Sequence, residues 1–262
     1  MKKVFVLLTL LSLFPLSRCS IGSPSLGPLL ECSYSHGGGM MGDGYVEKLY
    51  TDDSGEPVLR VESRSAHNHP LLIEEYRAGA DALERLRELI DRYRMTAWSK
   101  LPMDRDAVSM DGPSTSITMV FDNSEVGGYR RDSYTVNYAS KLSENAAEAL
   151  KTFREEMHRD IGALLDARYE NNRGEVVGAP PDEDGSEAAD ALKRLFWDCG
   201  DFTSALNDGV CFRYAGAETV DGTDCHVFAL ENEAGQTYAV GPDYGEIWQK
   251  SAAAPDWAPY AP

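Results

Sequence analysis

Apolar residues recur along this chain in two rhythms, and the switches between them mark its elements. "LLECSYS" alternates, which puts Leu30, Cys32 and Tyr34 on one side of a strand. "YVEKLY" (45–50) and "PVLRVES" (57–63) read as two more strands. "HGGGMMGDG" (36–44) joins the first pair as a loose hairpin loop. "DDSG" (52–55) joins the second pair as a turn, where glycine supplies a positive φ and aspartate caps its own backbone. The rhythm then lengthens. Within 80–95, Leu83, Leu86, Ile90 and Tyr93 recur at steps of three and four, which predicts a helix, with Asp81–Arg85 and Glu88–Arg92 as i,i+4 pairs. Alternation returns in "SITMVF" (116–121) and "DSYTVNY" (132–138). After Ser143, a good N-cap, Ala146, Leu150, Phe153, Met157, Ile161 and Leu164 fall on one side of a helix predicted over 144–169. The order is βββαββα, an α+β layer arrangement.

Periodicity lapses in "GEVVGAPPDEDGS", so 174–185 is expected to be a linker between two small domains, 29–173 and 186–262. The second opens with Ser186 as N-cap and the helix "EAADALKRLFW". "VCFRYAGAETV" and "TDCHVFALEN" alternate on either side of Asp221-Gly222, a strong hairpin signal, and "TYAVGPDYGEIWQK" follows, giving αβββ. The Pro-rich end, "DWAPYAP", is expected to be extended.

The N-terminus departs from both rhythms. Lys2 and Lys3 precede a mostly apolar run from Val4 to Leu16, too short for a bilayer core, which takes about 20 residues, but suited to a secretory signal over 1–18. Its end resembles a bacterial lipoprotein signal. Leu16, Ser17 and Cys19 match the aliphatic, small and lipidated positions, whereas Arg18 occupies a place that takes a small residue. Lipidation of Cys19 is one reading; cleavage after Gly22, releasing Ser23, is the other. Ser, Gly and Pro residues across 19–28 would form a flexible tether. The expected location is therefore the cell envelope, lipid-anchored to a membrane, or secreted or periplasmic.

Charge narrows the partners. The full chain carries −18, a surface that repels phosphate backbones, so no nucleic-acid partner is expected, and membrane contact is expected through the N-terminal lipid alone. Five cysteines in an oxidising compartment invite bridges. A two-residue Asp221-Gly222 turn pairs Val220 with Thr223, which sets Cys211 and Cys225 about 23 Å apart and on opposite faces. Cys225 then shares a face with Phe212 and Tyr214, under the helix that ends just before Cys199. The expected bridges are Cys199–Cys225 and Cys32–Cys211, unless a bulge at Gly216 shifts the parity.

Candidate chemistry is thin. His67 and His69 lie two apart, and His36 sits beside Met40 and Met41; these are weak metal candidates without a defined ligand spacing, so no metal or cofactor is expected. No G-x-S-x-G, H-E-x-x-H or C-x-x-C occurs, and no catalytic residue is singled out. "RYAGAETVDGTDCHVFAL" with "YAVGPDYGEIW" resembles the PepSY-like modules that end many secreted bacterial proteins, and "SYSHGGGMMG", "YRMTAWSKLP" and "DGPSTSITMVFDN" are similar to domains of uncharacterised envelope lipoproteins. The resemblance implies location and a peptide or peptidase partner. The expected function is a non-catalytic binding or scaffolding module taking a partner strand at an exposed edge of the C-terminal meander. The alternatives are an envelope hydrolase with a spatially assembled site and a metal-binding envelope protein.

Overall fold

The computed structural model describes residues 26–37, 43–102, 114–126, 131–137, 143–181, 186–242 and 246–261. The leader, Cys19, most of the tether, Met40, Met41 and 182–185 lie outside them. The fold class is mixed α and β, with two antiparallel sheets.

The first sheet takes eight strands: β1 (Leu29–Gly37), β2 (Gly44–Thr51), β3 (Pro57–Arg64), β4 (Leu71–Arg77), β5 (Ser114–Phe121), β6 (Asp132–Asn137), β7 (Leu164–Glu170) and β8 (Val176–Gly178). Their order is β6-β5-β1-β2-β3-β4-β7-β8. Between β2 and β3, Asp52 Oδ1 accepts from the backbone of Ser54 and Glu56, the cap expected there. Cys32, Leu49, Leu59, Ile117, Met119 and Val136 line one face and are buried under α1 (Ala82–Tyr93) and α2 (Glu144–Met157). The opposite face carries ion pairs such as Lys48–Glu31 at 3.0 Å and Arg60–Glu62 at 2.7 Å, as suits an antiparallel sheet with one wet side.

Three elements correct the order predicted for 29–173, and in the second unit the predicted αβββ is two helices followed by five strands. The segment "LLIEEYR" after Pro70 is a strand, β4, between β3 and β7. The second helix stops at Met157 rather than Tyr169. Asp160 takes a left-handed φ of 59°, and the Gly162 N–H donates to the Arg77 carbonyl at 2.8 Å, so the chain turns and pairs with β4. Helical spacing of Ile161 and Leu164 was outweighed by that pairing and by a glycine that is poor in helices. Part of the predicted linker is β8, which closes the sheet as a hairpin with β7.

Next come α3 (Ser186–Asp198), α4 (Gly200–Asn207) and the second sheet: β9 (Phe212–Val220), β10 (Thr223–Leu230), β11 (Thr237–Val240), β12 (Ile247–Ser251) and β13 (Ala254–Pro259). It is an antiparallel meander ordered β13-β12-β11-β10-β9. Asp221 and Gly222 both have positive φ, 48° and 80°, the signature of a type I′ turn. Val220 pairs with Thr223 and Cys225 with Glu218, as the turn predicts, but the register shifts between Val227 and Phe228 at a bulge around Gly216, whose φ is 100°.

That extra residue decides which side chains meet. Phe212, Phe228, Leu230, Tyr238 and Val240 face α3 and α4, while Val220, Cys225, Val227, Ala239 and Trp248 form a separate cluster on the outer face. The helix-side cluster also includes Tyr169 of β7 and Val177 of β8, with Tyr169 and Phe196 rings 5.4 Å apart. This cluster therefore draws on both predicted segments, beside the separate core of the first sheet under α1 and α2.

The four described cysteines are free in this structure. Cys199 lies in the helix-side cluster and Cys225 on the other face of the sheet, so the expected Cys199–Cys225 bridge is not formed. Cys211 sits beside Val176 of β8, and four strands separate β8 from Cys32 in β1; at about 4.8 Å per strand the two are about 24 Å apart, far beyond the roughly 7 Å between Cα atoms that a bridge requires.

Candidate functional site

Two places gather polar chemistry. In the first, alternation along β2 points Tyr45, Glu47 and Leu49 toward the helices. Glu47 is fully buried, yet its carboxylate is saturated. The Tyr45 hydroxyl donates to it at 2.6 Å, Arg154 Nη2 at 3.1 Å, and His158 Nε2 lies at 2.6 Å. Arg154 and His158 stand four apart on α2, one turn above each other, and the Arg154 guanidinium lies 4.2 Å from the Tyr34 ring centre. Burial alone would raise the Glu47 pKa, but the bonds from His158, Arg154 and Tyr45 outweigh it and hold the group at about 2. Such a carboxylate neither takes up nor releases a proton near neutrality, so it is unsuited to general acid or base work. It pins α2 to the sheet.

The second place is the C-terminal sheet around β13. The Trp257 indole on β13 donates to Glu218 on β9 at 2.9 Å, and Lys250 on β12 lies 3.5 Å from the same carboxylate and 4.0 Å from the Trp257 ring centre. β13 and β9 are the two edges of the sheet, about 19 Å apart were it flat. The sheet is thus rolled into a half-barrel, with Cys225, Val227, Ala239 and Trp248 as the floor of its concave side and Trp257 packed on them. Three residues on, Tyr260 points the other way. Its N–H donates to the Ile247 carbonyl at 2.7 Å, its ring meets Tyr238 edge-on at 6.2 Å, and its hydroxyl reaches the Cys199 thiol. The rest of β13 is exposed. An extended, Pro-rich segment is therefore held by main-chain pairing to β12 and by two aromatic anchors on opposite faces.

The histidines are dispersed. His36 Nδ1 bonds Thr115 Oγ1 at 2.7 Å and His67 is exposed. His69 is buried where the β3–β4 loop meets α3; its Nδ1 is 2.8 Å from Ser65 Oγ, its ring lies edge-on to Trp197, and burial lowers its pKa against a bond to the Phe196 backbone. Among the described residues no group of three or more His, Cys, Asp or Glu side chains is placed to hold a metal. A cavity of about 420 Å³ between α3 and β10 is lined by Glu187, Asp190, Arg194, Asp224 and His226, with His226 Nδ1 2.9 Å from the Tyr214 hydroxyl.

Sequence reading named neither Glu47 nor the Trp257 clasp. The signals were present: a glutamate on the same side of a strand as Leu49, an Arg-x-x-x-His pair on one helix, and paired aromatics in the tail. No helix among the described residues is long and apolar enough to cross a membrane. A scan of protein-family models finds no match to the chain, and neither does comparison with curated proteins or with solved structures.

Proposed function

We propose that this chain is an exported cell-envelope protein, lipid-anchored through Cys19 or released at Ser23, that acts as a non-catalytic binding module for an extended peptide. The carrying observation is the way β13 is held at the β12 edge, by backbone pairing plus Trp257 and Tyr260. That is the chemistry of strand addition, in which main-chain bonds give affinity and alternate side-chain sites give specificity. The β12 edge suits this role better than the β9 edge, where β8 packs on Phe212 and the Gly216 bulge breaks the ladder. The likeness to PepSY-like modules points to the same ligand class. The buried carboxylate, locked in its ionised form, argues against hydrolysis at the Glu47 cluster.

An array of extended peptides tests the reading. Binders should carry two aromatics three residues apart and be recovered uncut; cleavage of bound peptides, or binding indifferent to the aromatics, would refute it. Intact-mass spectrometry of envelope-purified protein separates a diacylated Cys19 N-terminus from a free Ser23, and an unprocessed Met1 would refute export.

A further inference from the structure

We infer that β13 is a self-bound ligand: the chain's own tail occupies the peptide-accepting edge of the C-terminal sheet and must leave before a partner strand can enter. The inference rests on the binding reading above and adds regulation to it. Four features of the tail carry it.

The tail follows the turn at Ala252–Ala253 and pairs with β12 alone, so it can swing away without breaking another strand pairing among the described residues. Its hold is narrow. β13 pairs with β12 through Trp248–Pro259, Gln249–Ala258 and Ser251–Ala254, with an irregularity between Gln249 and Ser251. Apart from Trp257, all of its residues are exposed. Few buried contacts and a place at the edge of the sheet put such a strand among the first to open locally. Its two anchors occupy distinct places, Trp257 on the concave face beside Lys250 and Glu218, Tyr260 beside Tyr238 and Cys199. A competitor would need the same pair, aromatic-x-x-aromatic, in an extended backbone.

The prolines fit a segment that fills an edge without extending it. Pro255 and Pro259 have no N–H to offer a further strand, so the docked tail caps the sheet. When the tail leaves, the β12 backbone at Ile247–Ser251 becomes an open edge. A tethered ligand competes at an effective concentration in the millimolar range, which weakens any free peptide until the anchors are lost. Binding is reduced by the fraction of molecules whose edge is open.

The test uses the full chain and a labelled synthetic peptide of residues 254–261. Wild type should bind it weakly. The W257A/Y260A double variant keeps the tail but removes both anchors, and should bind about tenfold or more tightly than wild type. A chain ending at Ser251 should bind comparably to the double variant. Either variant, shown folded by its urea transition, that binds no tighter than wild type overturns self-occupancy. Should the truncated chain fail to fold, the double variant decides alone. The peptide array separates the two readings. If wild type and double variant bind array peptides equally, self-occupancy fails and the binding function stands. If the double variant takes the tail peptide but no array peptide, self-occupancy stands and the binding function fails.

Discussion

Replacing Glu47 with glutamine keeps the shape of the side chain and removes its charge, which isolates the electrostatic part of the α2–sheet contact. A carboxyl held from an ordinary 4.5 down to about 2 contributes on the order of 3 kcal/mol at neutral pH. Arg154 loses its counter-ion and His158 its carboxylate partner in the variant, but their side chains are 41% and 39% exposed and can turn to water. The loss should therefore stay below the roughly 3–5 kcal/mol seen when a fully buried pair is broken. E47Q should cost about 2–3 kcal/mol at pH 7 and lower Tm by about 5–10 °C. Because the folded pKa is depressed, this stability is present above about pH 4.5 and is lost as pH falls toward about 2. Urea titrations of both proteins at pH 7, 4.5 and 3 measure it; other carboxylates titrate alike in the two proteins and cancel in the difference. The gap should shrink steadily below pH 4.5. A gap that is constant from pH 7 to 3, or under about 0.5 kcal/mol at pH 7, would refute the argument that the bonds to Glu47 outweigh its burial.

Other consequences are as direct. A Cβ on Gly178 would lie 2.4 Å from the Phe212 ring, which is wedged among Tyr169, Phe196 and Phe202, so G178A should cost about 1–3 kcal/mol by urea denaturation, with a neutral result excluding the close packing of β8 on the helix-side cluster. Maleimide labelling of the native protein should modify half-exposed Cys211 first, while Cys32, Cys199 and Cys225 wait for unfolding; a disulfide-linked peptide between any of these four in non-reduced digests would contradict the free thiols. His69 has a lowered pKa, so the folded state prefers it neutral, and stability should fall as pH drops below its ordinary 6.5. Replacing His69 with Phe should remove that component from the pH dependence of Trp197 fluorescence, and an unchanged profile would place its origin elsewhere.

Strands with clean alternation and tight turns were legible from sequence. β1, β2 and β3 follow from their patterns and from Asp52, and the β9–β10 hairpin follows from Asp221-Gly222. β4 and β7 were hidden because each depends on the other. "LLIEEYR" has too many charges to read as a buried strand, and its Glu75 is stabilised by Arg60 from β3 and Arg168 from β7. The apolar spacing in 161–164 fits a helix locally, and only the distant partner strand, where Tyr76 pairs with Leu164, makes the strand win. The Glu47 cluster was hidden for a similar reason: the pattern of β2 points the carboxylate inward, but its meaning depends on two side chains more than a hundred residues away on α2.

The C-terminal sheet shows how one residue can redirect a surface. Had β9 and β10 paired without the bulge, Cys225 and Val227 would have shared a face with Phe212 and Tyr214, under the helices, and Phe228 and Leu230 would have faced outward. The extra residue near Gly216 breaks the parity of β9, so its Phe212 end faces α3 and α4 with Phe228 and Leu230, while its Val220 end turns outward with Cys225 and Val227. An apolar outer face cannot remain flat and open to water at little cost. Bulges increase twist and bend the strand, and the sheet rolls until its edges meet through Trp257, Glu218 and Lys250. The disulfide expectation and the missed groove thus share a cause. The same parity shift that separates Cys225 from Cys199 creates the concave floor on which Trp257 rests, and a straight-register variant would lose the groove and the tail's anchor together.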